Sequence, residues 1–186
     1  PGVAHASFSS NLPARGAGGR EFEIEGQSLA DPKIGLRASS VVHTPGYLAT
    51  IDLPVIAGRD FVSTDGDPGK EAVIVTREFA ARHWPGRDAV GARIRFLEGR
   101  EKKPGPWLQV VGISGDIIQQ SDQDDAPPLL FTPLRQDPNA GMGLVVRTNA
   151  DPASLAPTVR ALVQGLDQDL PLFDIRTMQG VIDRAF

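Results

Sequence analysis

The residues best placed to do chemistry lie between positions 64 and 116. Gly66-Asp67-Pro68-Gly69-Lys70 invites a phosphate-loop reading, in which backbone N–H groups cradle phosphates and a lysine reaches the terminal ones. Such a loop needs a glycine five residues before its Gly-Lys pair and a hydroxyl after the lysine. Thr64 stands at the first of these positions and Glu71 at the second, so the loop cannot form. Asp65 and Asp67 have the spacing that opens a calcium loop, but the next ligand position holds Gly69. A plain turn explains this succession of Asp, Gly, Asp, Pro and Gly. Gly112-Ile113-Ser114-Gly115 falls one residue short of the Gly-x-Ser-x-Gly elbow that exposes a serine nucleophile at a strand-to-helix turn. Asp116 and a polar run follow it, without a helix pattern. A small hydrolase or ligand-binding enzyme domain using Ser114 and Asp116 is the alternative that these residues leave open.

The three histidines, His5, His43 and His83, have no spacing that makes a general base or a metal pair, and they read as structural or surface residues. Cysteine is absent, which removes disulfides, thiolate metal sites and cysteine nucleophiles together. Arg93, Arg95, Arg100, Lys102 and Lys103 gather across a hairpin-like stretch. The interleaved Glu98 and Glu101 and the following Pro104-Gly105-Pro106 favour a solvated loop. The functional reading of Arg95, Arg100, Lys102 and Lys103 is a contact for an acidic partner or for lipid headgroups. Trp84 and Trp107 read as packing residues, because indole rings supply large buried area. No catalytic, cofactor-binding or metal-binding set emerges.

Composition sets wider bounds. The 186 residues are 40% apolar, enough for a substantial core, and the 23% charged fraction argues against disorder. A formal net charge of −4 leaves no global basic field for nucleic acid. No window approaches the roughly 20 apolar residues of a membrane span. The sequence starts at Pro1-Gly2-Val3 and stops within an amphipathic pattern, so a piece of a longer protein is expected.

Strand and helix signals alternate irregularly. Positions 3–9 alternate weakly, 22–25 alternate cleanly before Gly26, and 35–43 read as a further strand. Thr44-Pro45 has the look of a helix start, with Thr44 as cap and Tyr47, Leu48 and Ile51 as the apolar stripe. The run 72–75 is a buried strand, and Thr76 then caps a helix bearing Phe79, Ala80 and His83. Strands follow at 92–96, 107–113, 129–131 and 144–146, with an acidic, polar connection at 116–125. Asp151-Pro152 opens the clearest helix, whose stripe is Leu155, Val159, Leu162, Val163 and Leu166. Positions 171–175 read as a last strand, and Thr177 caps a last helix. Hairpin-like pairs among these elements give an α+β fold rather than a doubly wound sheet.

An ordered series of short motifs resembles the periplasmic core domain of MacB-like and FtsX-like ABC transporter permeases. It comprises Thr44-Pro45-Gly46-Tyr47, Leu53-Pro54, Gly58-Arg59-Asp60-Phe61, Ala72-Val73-Ile74-Val75, Trp84-Pro85-Gly86, Gly91-Ala92-Arg93-Ile94 and Val110-Val111-Gly112-Ile113. Further on, Val146-Arg147-Thr148, Asp151-Pro152 and Leu170-Pro171 look like the duplicated orphan permease branch of that group. The resemblance implies an extracytoplasmic domain between two membrane helices, on the periplasmic side of a bacterial cytoplasmic membrane. It implies two lobes: a porter-like lobe split over 1–55 and 126–186, and an inserted smaller lobe at 56–125. It also implies a non-enzymatic module without a cofactor, which binds a partner or substrate and passes movement to the membrane helices. ATP would be hydrolysed by a separate ATP-binding subunit or domain. The expected partners are the rest of the permease and a periplasmic protein, with no nucleic acid. The family places a strand and a helix ahead of the position of Pro1. Their absence would bare a sheet edge and an apolar face, so self-association of the isolated domain is expected.

Overall fold

The computed structural model describes residues 2–27, 35–117, 128–170 and 172–184. Among these the elements run β1 (Val3–Ser9), β2 (Gly18–Ile24), β3 (Leu36–His43), α1 (Tyr47–Thr50), β4 (Val55–Gly58), β5 (Ala72–Thr76), α2 (Arg77–His83) and β6 (Arg93–Glu98). They continue with β7 (Lys103–Pro104), β8 (Leu108–Ser114), β9 (Leu129–Pro133), β10 (Gly143–Thr148), α3 (Pro152–Leu166) and α4 (Met178–Ile182). The fold is α+β.

Six strands close on themselves in the order β3, β2, β6, β8, β5, β9 and back to β3. The β5–β8 and β3–β9 ladders are parallel and the other four are antiparallel. Strands drawn from 1–55 (β2, β3), 56–125 (β5, β6, β8) and 126–186 (β9) therefore share one ring. Successive strand side chains point to opposite faces, and here the two faces bury separate cores. Phe22, Ile24, Ala38, Val73, Val75, Ile94, Phe96, Leu108, Val110 and Leu130 fill one, joined by Phe79 of α2 and by Trp84. The alternate residues Val41, Ala72, Ile74, Leu129 and Phe131 pack instead with Tyr47 and Leu48 of α1 and with Phe61. Every residue of β5 and of β9 is buried, so these strands read as continuous apolar runs rather than alternating ones.

The outer core is covered by a strap, residues 59–65, that follows β4. Asp65 fixes it: the carboxylate takes two hydrogen bonds from the Arg59 guanidinium, at 2.6 and 2.9 Å, and a third from the Val62 N–H at 2.8 Å. Where β4 crosses β8, Gly58 and Gly112 lie opposite each other. A Cβ on Gly112 would sit 2.2 Å from the Arg59 carbonyl oxygen, and one on Gly58 would sit 2.3 Å from that of Val111. Only glycine permits that approach, and Gly58 also has a positive φ of 70°.

A two-stranded ribbon, β1 with β10, extends from the barrel. Its one register pair with the ring is Ser9 opposite His43. One ribbon face sits on α1: Ser7 Oγ donates to Thr50 Oγ1 (3.1 Å), and Arg147 Nε donates to the Thr50 carbonyl (3.0 Å). On the other face the paired Phe8 and Leu144 are 45% and 38% exposed.

Three helix caps stand where the sequence puts them. Thr76 accepts the Phe79 N–H, Asp151 the Ala153 N–H and Thr177 the Gly180 N–H. Thr44 differs. Its hydroxyl accepts the Phe8 N–H of β1 at 2.9 Å, and the cap of α1 is Gly46 at φ 84°, without a side-chain bond. A tertiary partner has taken the oxygen that local pattern assigned to the helix. Residues 172–175 form no strand, because no strand edge bonds them among the described residues; Phe173 is 81% exposed there. Most of the acidic connection at 116–125 lies outside the described residues.

Phe22→Ala removes a fully buried ring from the inner core and is expected to cost about 3–5 kcal/mol in chemical denaturation. Gly112→Ala drives a methyl group into the strap backbone. The expected loss is on the order of 1–3 kcal/mol, with amide exchange rising first in β4 and the strap; an unchanged exchange pattern there would contradict the crossing geometry.

Candidate functional site

The basic residues singled out from sequence do come together, on the turn that joins β6 to β7. Four of the five are paired. Glu21 and Glu23 of β2 and Glu25 just past its end follow at period two, and Arg93 and Arg95 of β6 stand beside them. Glu23 lies in register with Arg95, and their ion pair measures 2.7 Å. Glu25 pairs with Arg93, and Glu21 with Lys102 at 2.8 Å. Arg95 also stacks on Trp107, its guanidinium carbon 4.4 Å from the ring centroid. Lys103 is paired with its neighbour Glu101 at 2.9 Å in an exposed contact. Arg100, at the exposed tip, has no carboxylate in ion-pair range among the described residues.

The patch is therefore a cross-strand ladder of opposite charges with Arg100 projecting from its end. Exposed pairs of this kind contribute little stability each, up to about 1 kcal/mol, but they cancel the field that five cations would otherwise cast. A shallow cleft of about 530 Å³ runs beside the tip, lined by Arg20, Glu21, Glu98, Arg100 and Lys102. Its mixture of signs suits a charged protein surface better than a single anion. The neutralising partners were missed from sequence because they sit on β2, some 70 residues earlier. The signal was present: Glu-x-Glu-x-Glu at 21–25 has the same period as Arg-x-Arg at 93–95.

The alternative built on Ser114 and Asp116 finds no support in the geometry. Ser114 is fully buried at the end of β8, and its hydroxyl donates to the Gly115 carbonyl at 2.9 Å. Asp116 accepts from Arg77 Nε (2.9 Å) and from the Glu78 N–H (2.8 Å), which ties it to the first turn of α2. Neither side chain bonds to a histidine among the described residues. His83 packs against the rings of Phe22, Phe79 and Trp84. The aspartates of the former calcium reading part company: Asp65 holds Arg59, and Asp67 pairs with Arg135 at 3.2 Å. Burial alone would raise the Asp65 carboxyl, but the Arg59 hydrogen bonds and the Val62 N–H leave it below the usual carboxylate range. No cluster of three metal-ligating side chains exists among the described residues.

His43 is the residue whose environment sequence reasoning did not anticipate. It ends β3, is fully buried, and has the rings of Tyr47, Phe61 and Phe131 at 4.9, 5.0 and 5.4 Å. Nδ1 lies 2.9 Å from the Thr44 carbonyl and so carries the proton, while Nε2 has no hydrogen-bond partner among the described residues. Burial holds its pKa down at about 4, against a partial rise from the Thr44 carbonyl.

The family model described as the MacB-like periplasmic core domain matches residues 7–164. No curated protein is significantly similar to the chain. Among solved structures, the periplasmic region of MacB from Actinobacillus actinomycetemcomitans is 13% identical, with a TM-score of 0.62 over 100% of this chain and 78% of that one. The extracellular domain of the noncanonic ABC-type transporter YknZ from Gram-positive bacteria is 15% identical, with a TM-score of 0.55 over 90% of this chain and 78% of that one. At these identities the structures establish likeness of fold, and the family match establishes membership. The chain belongs to the MacB-like periplasmic core domain family, the extracytoplasmic part of ABC transporter permeases.

Proposed function

We propose that this domain binds a partner protein or substrate outside the membrane and transmits movement to the membrane helices of its permease, catalysing nothing itself. The permease works with an ATP-binding subunit, as the family implies. The observation that carries the reading is mechanical. A closed barrel with both faces of β5 and β9 buried is a stiff body, whereas the β1–β10 ribbon meets the ring through one register pair. A stiff body and a ribbon joined to it over a short stretch are the parts a lever needs. The boundary that matters to movement then lies between ribbon and barrel, rather than at the ends of the 56–125 stretch.

Partner contact falls to the β6–β7 tip. Arg100 and Lys103 present charge outward, while Arg95 and Lys102 are held by β2 carboxylates and shape the surface from behind. An acidic face on a partner protein fits this arrangement. Self-association has a separate basis. The outer edge of β10 bonds to no strand among the described residues, and the apolar Phe8–Leu144 pair lies beside it. The stripe of α3 is also open, with Leu162 67% and Leu166 87% exposed and no residue of the helix fully buried. Unpaired edges and open apolar stripes favour pairing with a second copy.

The transmission reading is tested by locking the ribbon. The chain has no cysteine, so Ser10→Cys with Val42→Cys places a single disulfide where Val42 N–H bonds Ser10 Oγ (3.0 Å). In the full-length transporter the oxidised form is expected to hydrolyse ATP but to lose transport, with recovery on reduction. Transport that continues unchanged with the lock closed would refute it. For the contact, Arg100→Glu with Lys103→Glu should lower co-purification of the envelope partner at least tenfold without loss of fold. Arg95→Glu should instead lower the melting temperature, because it sets two carboxylates opposite each other. For self-association, light scattering over a concentration series should show a dimer that Leu144→Glu abolishes. A wild-type monomer at every concentration counts against it.

A further inference from the structure

We propose that His43 is an acid-released catch holding the β1–β10 ribbon on the barrel. The proposal concerns a property of this chain alone and stands apart from the transport role.

His43 occupies the one register position where the ribbon meets the ring, opposite Ser9 of β1 and Pro133 of β9. The hydrogen bonds that fasten β1 flank it on both sides. Ser10 N–H donates to the Val42 carbonyl (2.8 Å), and Val42 N–H to Ser10 Oγ (3.0 Å). Thr44 N–H donates to the Phe8 carbonyl (3.0 Å), and Phe8 N–H to Thr44 Oγ1 (2.9 Å). The ring itself stands in the aromatic cage of Tyr47, Phe61 and Phe131. Four elements that must fit together, β3, α1, β9 and the strap, thus share one uncharged imidazole.

Burial makes the cage a place for the neutral ring. With the proton on Nδ1, Nε2 is a lone pair without a hydrogen-bond partner among the described residues, which is tolerable for a weak acceptor. A second proton would strip a cation of water and add an N–H donor with no partner there, a cost that attraction to the three ring faces offsets only in part. The charged and titratable groups on the surrounding elements do not relieve this. Tyr47 on α1 turns its hydroxyl to the Asn11 carbonyl at 3.4 Å and to Ser9. On the strap, Arg59 and Asp65 are spent on each other. Asp60 there gives its carboxylate to the Phe61 and Gly46 N–H groups. Burial raises the pKa of Asp60, which makes it a poorer counter-ion as pH falls. β9 has no titratable side chain; the nearest after it, Arg135 and Asp137, pair with Asp67 and Arg20. On β1 only His5 titrates, and it is exposed; on β10, Arg147 reaches Asp52 at 3.6 Å. Arg37, on β3 itself, lies toward the opposite end of the strand, its guanidinium beside Gly19.

The sign follows from the lowered pKa. Above about 6.5, the ordinary histidine value, His43 is neutral whether seated or released, and the catch holds fully. As pH falls from there through about 4, the released ring takes up a proton that the seated ring refuses, and closure is lost across that window. A domain outside the cytoplasmic membrane meets such acid directly.

The test is made on the whole chain between pH 7.5 and 4. The His43 ring resonances are followed by NMR, with His5 and His83 as internal comparators, and amide protection factors are measured in parallel. His43 is expected to titrate well below the ordinary histidine value of about 6.5. Protection in β1 and at the β3 end is expected to fall at least tenfold between pH 6.5 and 4, while β5 and β8 keep theirs. His43→Phe, which fills the cage without titrating, should abolish the fall. Titration of His43 near that ordinary value, uniform loss of protection over barrel and ribbon, or the same acid loss in His43→Phe each overturns the proposal. The wild-type titration and exchange decide the matter even if the variant fails to fold.

Discussion

Closure of the ring between β3 and β9 is the constraint on which the rest of the structure depends. Those strands are some 90 residues apart in sequence and pair in parallel, from Ser39 with Leu129 to His43 with Pro133. A parallel pair cannot be made by a local turn, so this contact depends on the long stretch of chain between the two strands. Its loop-closure entropy is offset in the native state by the apolar surface that the closed ring buries. Closure also gives β3 and β9 a second face, and the outer core exists because that face is apolar.

The outer core in turn dictates the unusual chemistry of the strap. Phe61 must lie down on β9 and β3, and the chain on either side must turn sharply to let it. Asp65 does this by collecting three hydrogen bonds while 4% exposed. A buried carboxylate needs partners of this kind, and Arg59 supplies charge from a half-exposed position. The pair of glycines at the β4–β8 crossing serves the same end, since the strap backbone passes too close to β8 for any side chain.

Charge on this molecule is organised by the sheet rather than by sequence runs. A run of cations at 93–103 looks like a binding patch when read along the chain. Seen across the strands, Arg93, Arg95 and Lys102 are the complement of Glu21, Glu23 and Glu25, and Arg100 and Lys103 lie beyond the ladder.

Much of this was legible in the residues. Thr76, Asp151 and Thr177 announced their helices because a cap is a contact within four residues. The burial of 72–75 showed as an unbroken apolar run, and the failures of the phosphate and calcium loops were visible at Thr64, Glu71 and Gly69. The order of short motifs was enough to suggest the family. Tertiary structure alone decided the rest, wherever a side chain's partner lies far away in sequence. Thr44 caps no helix because Phe8 of β1 claims its hydroxyl. The stripe of α3 says which face is apolar but not that Leu162 and Leu166 stay uncovered. Residues 172–175 have the composition of a strand and no edge to join. His43 carries no pattern at all, and only the meeting of β3, β9, α1 and the strap turns a lone histidine into a buried, half-satisfied ring. Sequence fixes local hydrogen bonding and which faces avoid water; which faces meet is settled by closure of the barrel.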